Sequence, residues 1–213
     1  MTDYVRVERT LVRSAIAAGL AASVMYPART FLTLPEFLST AFYIFFGPVL
    51  VVAFVGLYPF LSRPKTSVAA VLGTVFGVIG GAANMVFAVV QLENLHYIRK
   101  YMAAAETVAE KEMWQNILNG VFTVQNGFNY VSDFFIDWTA FLWAFVMWNH
   151  PKFGKAFTLT GLAAAGLHFI MKLITFPEPP AEAGLFDAGP LVSIWFALVT
   201  VQVIRKRRWM EEW

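Results

Sequence analysis

The chain has 213 residues, of which 58% are hydrophobic and only 14% are charged, and its formal net charge is +2. Soluble domains carry about 25% charged residues, so this composition excludes a soluble globular protein and a disordered chain. The near balance of charge argues against a nucleic-acid partner, and the absence of cysteine excludes disulfides and thiolate metal sites. The sequence therefore predicts an integral membrane protein whose main partner is the lipid bilayer.

Six stretches of the chain are long and apolar enough to cross a membrane, since a spanning helix needs about 20 mostly apolar residues. They predict an all-α bundle of six spans that forms a single domain over residues 1–213. The predicted spans are residues 12–32, 36–61, 67–92, 116–148, 156–176 and 189–204. We expect the first to be a retained span and not a signal peptide, because no small-x-small cleavage site closes it before Pro27.

Local signals mark where helices begin and end. Thr33 and Glu36 have the S/T-x-x-E spacing of a capping box, with Pro35 in the first turn, which predicts that a helix begins there. Pro151 and the run 177–180 end helices, because proline has no N–H to donate and disfavours helix in the residue before it.

The longest connection runs from Glu93 to Gln115. Its alanine-rich and charged sequence predicts helix that continues outside the membrane. A solvated helical hairpin is the simpler interpretation, and a binding surface is the alternative, since charge runs are usually solvated.

The distribution of Lys and Arg predicts the orientation, because cytoplasmic loops carry an excess of these residues. One side of the bundle carries eleven of the sixteen, namely Arg6, Arg9, Arg13, Arg63, Lys65, Lys152, Lys155, Arg205, Lys206, Arg207 and Arg208. The other side carries Arg29, Arg99, Lys100 and Lys111. With six spans, this bias predicts an inner-membrane protein with both termini in the cytoplasm.

Two spans contain ionisable side chains, each of which costs at least about 2.5–3.5 kcal/mol near the centre of a membrane and is a functional-site hypothesis by default. Asp133 and Asp137 are four residues apart in the fourth span and share one helical face. His168 and Lys172 have the same spacing in the fifth span. Counted from the shared end of this antiparallel hairpin, the four groups form two level rows. The sequence therefore predicts that Asp133 faces Lys172 and that Asp137 faces His168.

Further polar side chains extend this group. Asn126, Asn129 and Tyr130 continue the polar face of the fourth span, and Asn84 lies in the outer half of the third. Together with the two pairs, we expect these residues to form an inward site that binds a small polar ligand or an ion. The alternative is structural: the pairs lock two helices together, so that losing one partner is costly whereas replacing both by apolar residues is tolerated.

The residues match the common cofactor chemistries poorly. A two-haem cytochrome needs about four axial histidines, and the chain has three histidines in all. A metal held by His168, Asp133 and Asp137 would have the Lys172 ammonium beside it. A retinal-type Schiff base on Lys172 would have an aspartate as counter-ion. However, retinal proteins have seven helices, whereas this chain has six predicted spans. No HExxH, Walker A, GxSxG or GxGxxG signature occurs, so no cofactor, metal or catalytic residue is predicted.

The last third of the chain contains HPKFG at 150–154 and TFPEPPAEAGLFDAGP at 175–190, followed by Trp195. These sequences resemble a group of uncharacterised bacterial multi-span membrane proteins of the domain-of-unknown-function type. The resemblance implies a bacterial inner-membrane protein of about six helices, and it implies no activity and no functional residues. Its prolines and glycines predict an ordered loop, which we expect to cover the outer end of the row formed by Asp133 and Lys172.

Two functional hypotheses follow. In the first, the protein binds or moves a small solute, an ion or a proton through protonation-linked exchange of the two pairs, with His168 titrating nearest neutral pH. In the second, it is a non-catalytic partner or scaffold subunit of a larger membrane assembly, or a homo-oligomer. Its docking surfaces would be the tail 205–208 and the small-residue seams, namely Ser14, Ala18 and Ala22 in the first span and Gly73, Gly77, Gly80 and Gly81 in the third. A third hypothesis, that the protein is a membrane enzyme, is supported by no motif in the sequence.

Overall fold

The computed structural model describes residues 3–63 and 65–211. Helices joined by short connections make up this part of the chain, which contains no strand. The long helices are α1 (Asp3–Phe31), α2 (Glu36–Ser62), α3 (Val68–Glu93), α5 (Val108–Met147), α6 (Lys155–Thr175) and α7 (Gly189–Lys206). A π-helical turn (Asn94–Ile98) and the short α4 (Arg99–Ala104) follow α3, and a 3-10 turn (Arg207–Glu211) follows α7.

Six segments of these helices are long and apolar enough to cross a membrane, which confirms the predicted all-α architecture with six spans and fits an integral membrane protein. The segments are Val5–Ala28, Glu36–Ser62, Val68–Ala104, Val108–Met147, Lys155–Thr175 and Gly189–Trp209. The two terminal segments, residues 1–2 and 212–213, lie outside the described residues.

The six long helices form a ring that follows the order of the chain. Each packs against the helix before and after it, and α7 packs against α1 to close the ring. One end of the ring, named here the terminal end, carries the start of α1, the end of α7 and the connections that follow α2 and α5. The opposite end, named the loop end, carries the connections 32–35, 94–107 and 176–188.

Glycines of α3 allow its close contacts with the neighbouring helices. A methyl group built on Gly77 would lie 2.5 Å from Phe54 Cγ, and one on Gly73 would lie 2.5 Å from Trp143 Cδ1. Neither distance leaves room for a side chain, so the small size of these glycines lets α3 approach its neighbours closely. All four glycines of this seam face neighbouring helices of the same chain.

Aromatic side chains fill the centre of the ring and its terminal end. The rings of Phe54, Trp143 and Phe196 meet at the centre, with centroids 5.3–6.1 Å apart. Nearer the terminal end, Phe60 stacks on His150 at 5.8 Å. Aromatic rings thus occupy much of the interior at the centre and at the terminal end.

α2 begins where the predicted span 36–61 begins, but its cap differs from the predicted one. The helix begins at Glu36, its N-cap is Pro35, and no side chain caps it, so the capping box predicted at Thr33 is wrong. The physical reason is that the residue before a proline disfavours the helical conformation. Leu34 therefore cannot continue a helix that begins at Thr33.

A capping box occurs instead at the start of α5. Thr107 Oγ1 accepts a hydrogen bond from the Glu110 N–H at 3.2 Å, and Glu110 Oε2 accepts one from the Thr107 N–H at 3.0 Å. The predicted helical character of the 93–115 connection is confirmed, because α4 and the first turns of α5 occupy most of it. With 40 residues, α5 is about 60 Å long. It therefore exceeds the hydrocarbon thickness of a bilayer, about 30 Å.

Candidate functional site

The two predicted pairs connect α5 to α6. Lys172 Nζ donates a hydrogen bond to Asp133 Oδ2, and His168 Nδ1 donates one to Asp137 Oδ1 at 2.9 Å. Each helix carries its two residues one turn apart on the face that meets the other helix, which aligns the two rows. The predicted pairing of these four residues is confirmed.

The two pairs differ in their surroundings. The side chains of Asp137 and His168 are only 1% and 5% exposed, whereas those of Asp133 and Lys172 are 22% and 10% exposed. The Lys172 ammonium also lies 4.6 Å from the centre of the Tyr130 ring, within reach of a cation–π interaction. The Asp133–Lys172 pair is thus more exposed than the Asp137–His168 pair.

A third carboxylate reaches the site from the connection between α6 and α7. Asp187 Oδ1 lies 3.8 Å from His168 Nε2 and accepts a hydrogen bond from the Gly189 N–H at 2.9 Å. The His168 ring therefore stands between the carboxylates of Asp137 and Asp187. Sequence reasoning missed Asp187 as a site residue, because a loop residue has no helical periodicity that would place it beside a span.

These groups border a cavity of about 320 Å³ inside the ring, named here the interior cavity. All six long helices contribute to its wall. Its polar lining residues are Ser23, Tyr26, Asn84, Asn129, Asp133, His168, Lys172, Asp187, Ser193 and Thr200. Five of the predicted site residues are therefore brought together here: Asn84, Asn129, Asp133, His168 and Lys172.

The three other predicted site residues do not line the interior cavity. Asp137 lies behind His168 and holds its ring. Tyr130 contacts the covering loop, since its hydroxyl donates a hydrogen bond to the Glu178 carbonyl at 2.6 Å. Asn126 is partly exposed and lies about one helical turn closer to the loop end than Asn129, outside the residues that line the cavity.

The connection 176–188 covers the loop end of the interior cavity, as expected from its sequence. Pro179, Pro180 and Ala181 line the cavity directly. The Leu185 N–H donates a hydrogen bond to the Pro180 carbonyl at 2.8 Å, and Gly184 has a φ of 76°, a conformation that favours glycine. The loop is therefore an ordered cover.

Asn84 carries an unused hydrogen-bond acceptor in the wall of the interior cavity. Its side chain is 5% exposed, and its Oδ1 has no hydrogen-bond partner among the described residues. Such a buried unsatisfied group costs about 1–3 kcal/mol. After rotation of the amide, an N–H or O–H group of a ligand in the cavity would remove this cost.

A second cavity of about 260 Å³ lies between α5 and α6 on the outer surface of the ring, and it is named here the outer groove. Its wall is almost entirely apolar, with Phe134, Phe169 and Phe176 among the lining residues. Asp133 and Lys172 line both the outer groove and the interior cavity. Their ion pair therefore forms part of the partition between the interior cavity and the outer groove.

No group of three or more His, Asp or Glu side chains in the described part of the chain is arranged to hold a metal ion.

Comparison of the chain with models of known protein families, with curated proteins and with solved structures finds no match. The resemblance of the 150–154 and 175–190 sequences to uncharacterised bacterial membrane proteins therefore stays a prediction.

Proposed function

We propose that this protein binds a small solute by its polar group in the interior cavity, and that exchange of the two ion pairs with this solute or with a proton underlies its transport across the membrane. The observation that supports the proposal is the position of the pairs beside a cavity of about 320 Å³. Pairs that only lock α5 to α6 need no space next to them. An ionisable residue that borders a cavity inside a span typically marks a substrate or ion pathway.

The charge arrangement suggests how binding couples to the pairs. His168 holds Asp137 through one ring nitrogen and faces Asp187 through the other. A proton or a cation that arrives at Asp187 competes with His168 for this carboxylate and so changes the charge balance around the imidazole. Because imidazole ordinarily titrates close to neutral pH, His168 is the residue whose charge is expected to change during exchange.

We propose a bacterial inner membrane as the location, with the loop end outside the cytoplasm and both termini inside. The excess of Lys and Arg near the terminal end supports this orientation, and so does the resemblance carried by the 150–154 and 175–190 sequences. In this orientation the interior cavity is entered from the extracytoplasmic side, beneath the 176–188 loop.

Proton and solute flux in proteoliposomes tests the function. Wild-type protein is expected to carry a proton current under an imposed potential, or to accumulate small amines and amino acids from a labelled panel. Asp137→Asn and His168→Ala should reduce that flux at least tenfold. Asn126→Ala is the matched control, because this residue lies outside the cavity, and it should leave the flux unchanged. Flux equal to wild type in both pair variants contradicts the proposal.

Access to the cavity is tested by thiol labelling, for which the absence of native cysteine removes all background. We expect Asn129→Cys, in the cavity wall, to react with a membrane-impermeant cationic reagent. Val52→Cys, on the apolar outer face of α2, should not react. For the orientation, Ala181→Cys should react in intact cells and Lys65→Cys only after permeabilisation, and the reverse order would overturn the proposed topology.

A further inference from the structure

The interior cavity is long, and its chemistry changes along its length. Its lining residues on α7 run from Gly189 to Thr200, a length of about 16 Å of helix. The charged side chains lie toward the loop end, on α5, α6 and the covering loop. The deeper wall consists mainly of Leu50, Ala53, Phe54, Leu57, Val192 and Phe196.

The hydroxyl groups in the deeper part are already satisfied. Ser23 Oγ donates to the Gly19 carbonyl at 2.7 Å, and Thr200 Oγ1 donates to the Phe196 carbonyl at 3.0 Å. Because these donors bond to their own helices, the wall offers a ligand mainly methyl and ring surface. α1 and α7 lie close together at this depth, since a methyl group on Gly19 would lie 2.5 Å from Thr200 Oγ1.

The charged network at the loop end of the interior cavity contains three carboxylates and two basic groups, of which only Asp137 does not line the cavity. Asp133, Asp137 and Asp187 face one lysine, Lys172, and one histidine, His168. The Asp187 side chain is 48% exposed, and its hydrogen bond comes from a single backbone N–H, so most of its acceptor capacity is available. An excess of carboxylate favours a ligand group that is positively charged.

Asp187, His168 and Tyr26 come together around Gly189. A methyl group on Gly189 would lie 3.2 Å from Asp187 Oδ1, 3.4 Å from His168 Nε2 and 3.5 Å from the Tyr26 hydroxyl oxygen. The absence of a side chain at this residue therefore allows a carboxylate, an imidazole and a phenol to approach one another. All three residues line the interior cavity.

We propose that the ligand of the interior cavity is a cationic amphiphile, whose ammonium group binds at the position bordered by Asp187, His168 and Tyr26 and whose alkyl chain lies along the deeper apolar wall. The inference rests on the proposed binding function and names the class of its ligand. Each methylene group that leaves water for this wall tightens binding by about fourfold, until the chain fills the length of the cavity.

The test measures binding to the full chain in lipid nanodiscs, with empty nanodiscs to subtract partition into lipid. The probes are methylammonium, butylammonium and octylammonium, together with octanesulfonate as the anion of equal chain length. Octylammonium is expected to bind at least a hundredfold tighter than methylammonium, in terms of free aqueous concentration, and at least tenfold tighter than octanesulfonate. Equal affinity along the ammonium series, or a preference for the sulfonate, overturns the inference and leaves the proposed function intact.

Three leucine variants locate the alkyl chain. Ala53→Leu and Ala22→Leu narrow the deeper cavity from α2 and α1, and either one suffices if the other does not fold. Ala163→Leu, on the exposed face of α6, is the matched control. The first two should weaken octylammonium binding at least tenfold and leave methylammonium binding unchanged, whereas the control should change neither. Octylammonium binding that survives both cavity variants overturns the inference.

Asp187→Asn locates the ammonium group. It should weaken the binding of every ammonium probe by a similar factor and reduce the preference for octylammonium over octanesulfonate. Unchanged ammonium binding in this variant overturns the inference. If no ammonium probe binds while Asp137→Asn still abolishes flux, the inference fails alone. If the flux is also insensitive to Asp137→Asn and His168→Ala, the proposed function fails with it.

Discussion

His168 Nδ1 and Asp137 Oδ1 lie 2.9 Å apart at the interface of α5 and α6, and both side chains are almost completely buried. The contact is the more deeply buried of the two ion pairs. Because the imidazole has a carboxylate on each side, it connects the buried interface to the interior cavity. The structural and functional interpretations of the pair therefore predict different behaviour when both residues are replaced.

Replacing one partner should be more damaging than replacing both. Asp137→Ala leaves a buried imidazole without its acceptor, and we expect it to lower the free energy of unfolding by about 3–5 kcal/mol. The double variant Asp137→Leu with His168→Leu removes both polar groups and should regain most of this loss. Denaturation in mixed detergent micelles measures both values. A double variant as unstable as the single one would contradict this expectation, and a stable double variant without flux would separate function from structure.

His150, in the connection between α5 and α6, is held as a neutral ring. Its Nε2–H donates to the Phe60 carbonyl at 3.1 Å, and its Nδ1 accepts from the Lys152 N–H at 3.2 Å. Burial lowers the pKa of His150 below its ordinary value. Protonation of Nδ1 would break the second hydrogen bond.

Stability should therefore decline in acid. In the unfolded chain His150 binds a proton near pH 6.5, whereas in the folded chain it does so only at lower pH. The stabilisation is complete above about pH 6.5 and is lost as the pH falls toward the lowered pKa. His150→Phe should lack this component, because its ring can pack in place of the imidazole without titrating. Melting temperatures of the wild type and of His150→Phe between pH 5 and pH 8 measure this pH-dependent stabilisation. A difference in melting temperature that is independent of pH would refute the prediction.

Gly161 lies against Trp195. A methyl group there would be 2.6 Å from Trp195 Cε2, and the indole cannot move freely because its Nε1 donates to the Phe157 carbonyl at 2.8 Å. Gly161→Ala should lower the free energy of unfolding by about 1–3 kcal/mol. Gly127→Ala is the control, since a methyl group at Gly127 meets nothing within 4 Å, and it should be neutral or stabilise by up to about 1 kcal/mol. Equal effects of the two substitutions would disprove the steric argument.

The capping box of α5 should stabilise the start of that helix, whereas Thr33, in the box predicted for α2, should not stabilise the start of α2. Thr107→Ala removes the acceptor for the Glu110 N–H and should destabilise the start of α5 by about 1 kcal/mol, seen as faster amide hydrogen exchange over residues 108–112. Thr33→Ala should leave exchange at the start of α2 unchanged. Faster exchange after the Thr33 substitution would indicate a cap that the structure does not contain.

The Tyr130 hydroxyl should hold the cover of the interior cavity. Tyr130→Phe removes the hydrogen bond to the Glu178 carbonyl but keeps the ring beside Lys172. We expect faster proteolysis and faster amide exchange in the 176–188 loop, with little change in the exchange of α5 and α6. Protection of the loop equal to that in the wild type would show that the turns within the loop hold it in place without the Tyr130 hydroxyl.

The sequence predicts those parts of this protein whose positions follow from the periodicity of a helix. Asp133 and Lys172 could be matched because both lie on helices of known rise, joined as an antiparallel hairpin. The contribution of Asp187 depends on the path of a loop, and the closure of the ring by α7 and α1 depends on packing, and neither leaves a periodic signal. The capping box at Thr33 fits a motif by spacing, but the conformational effect of Pro35 on its neighbour overrides that spacing.

The paired charges of α5 and α6 also bear on how the chain is inserted during synthesis. α5 brings two carboxylates into the membrane and α6 brings a lysine, each at a cost of about 2.5–3.5 kcal/mol when alone. Only the short segment 148–154 separates the two helices. We therefore expect α5 to remain in the translocation machinery until α6 has emerged, so that both helices enter the lipid as one hairpin with their charges already neutralised.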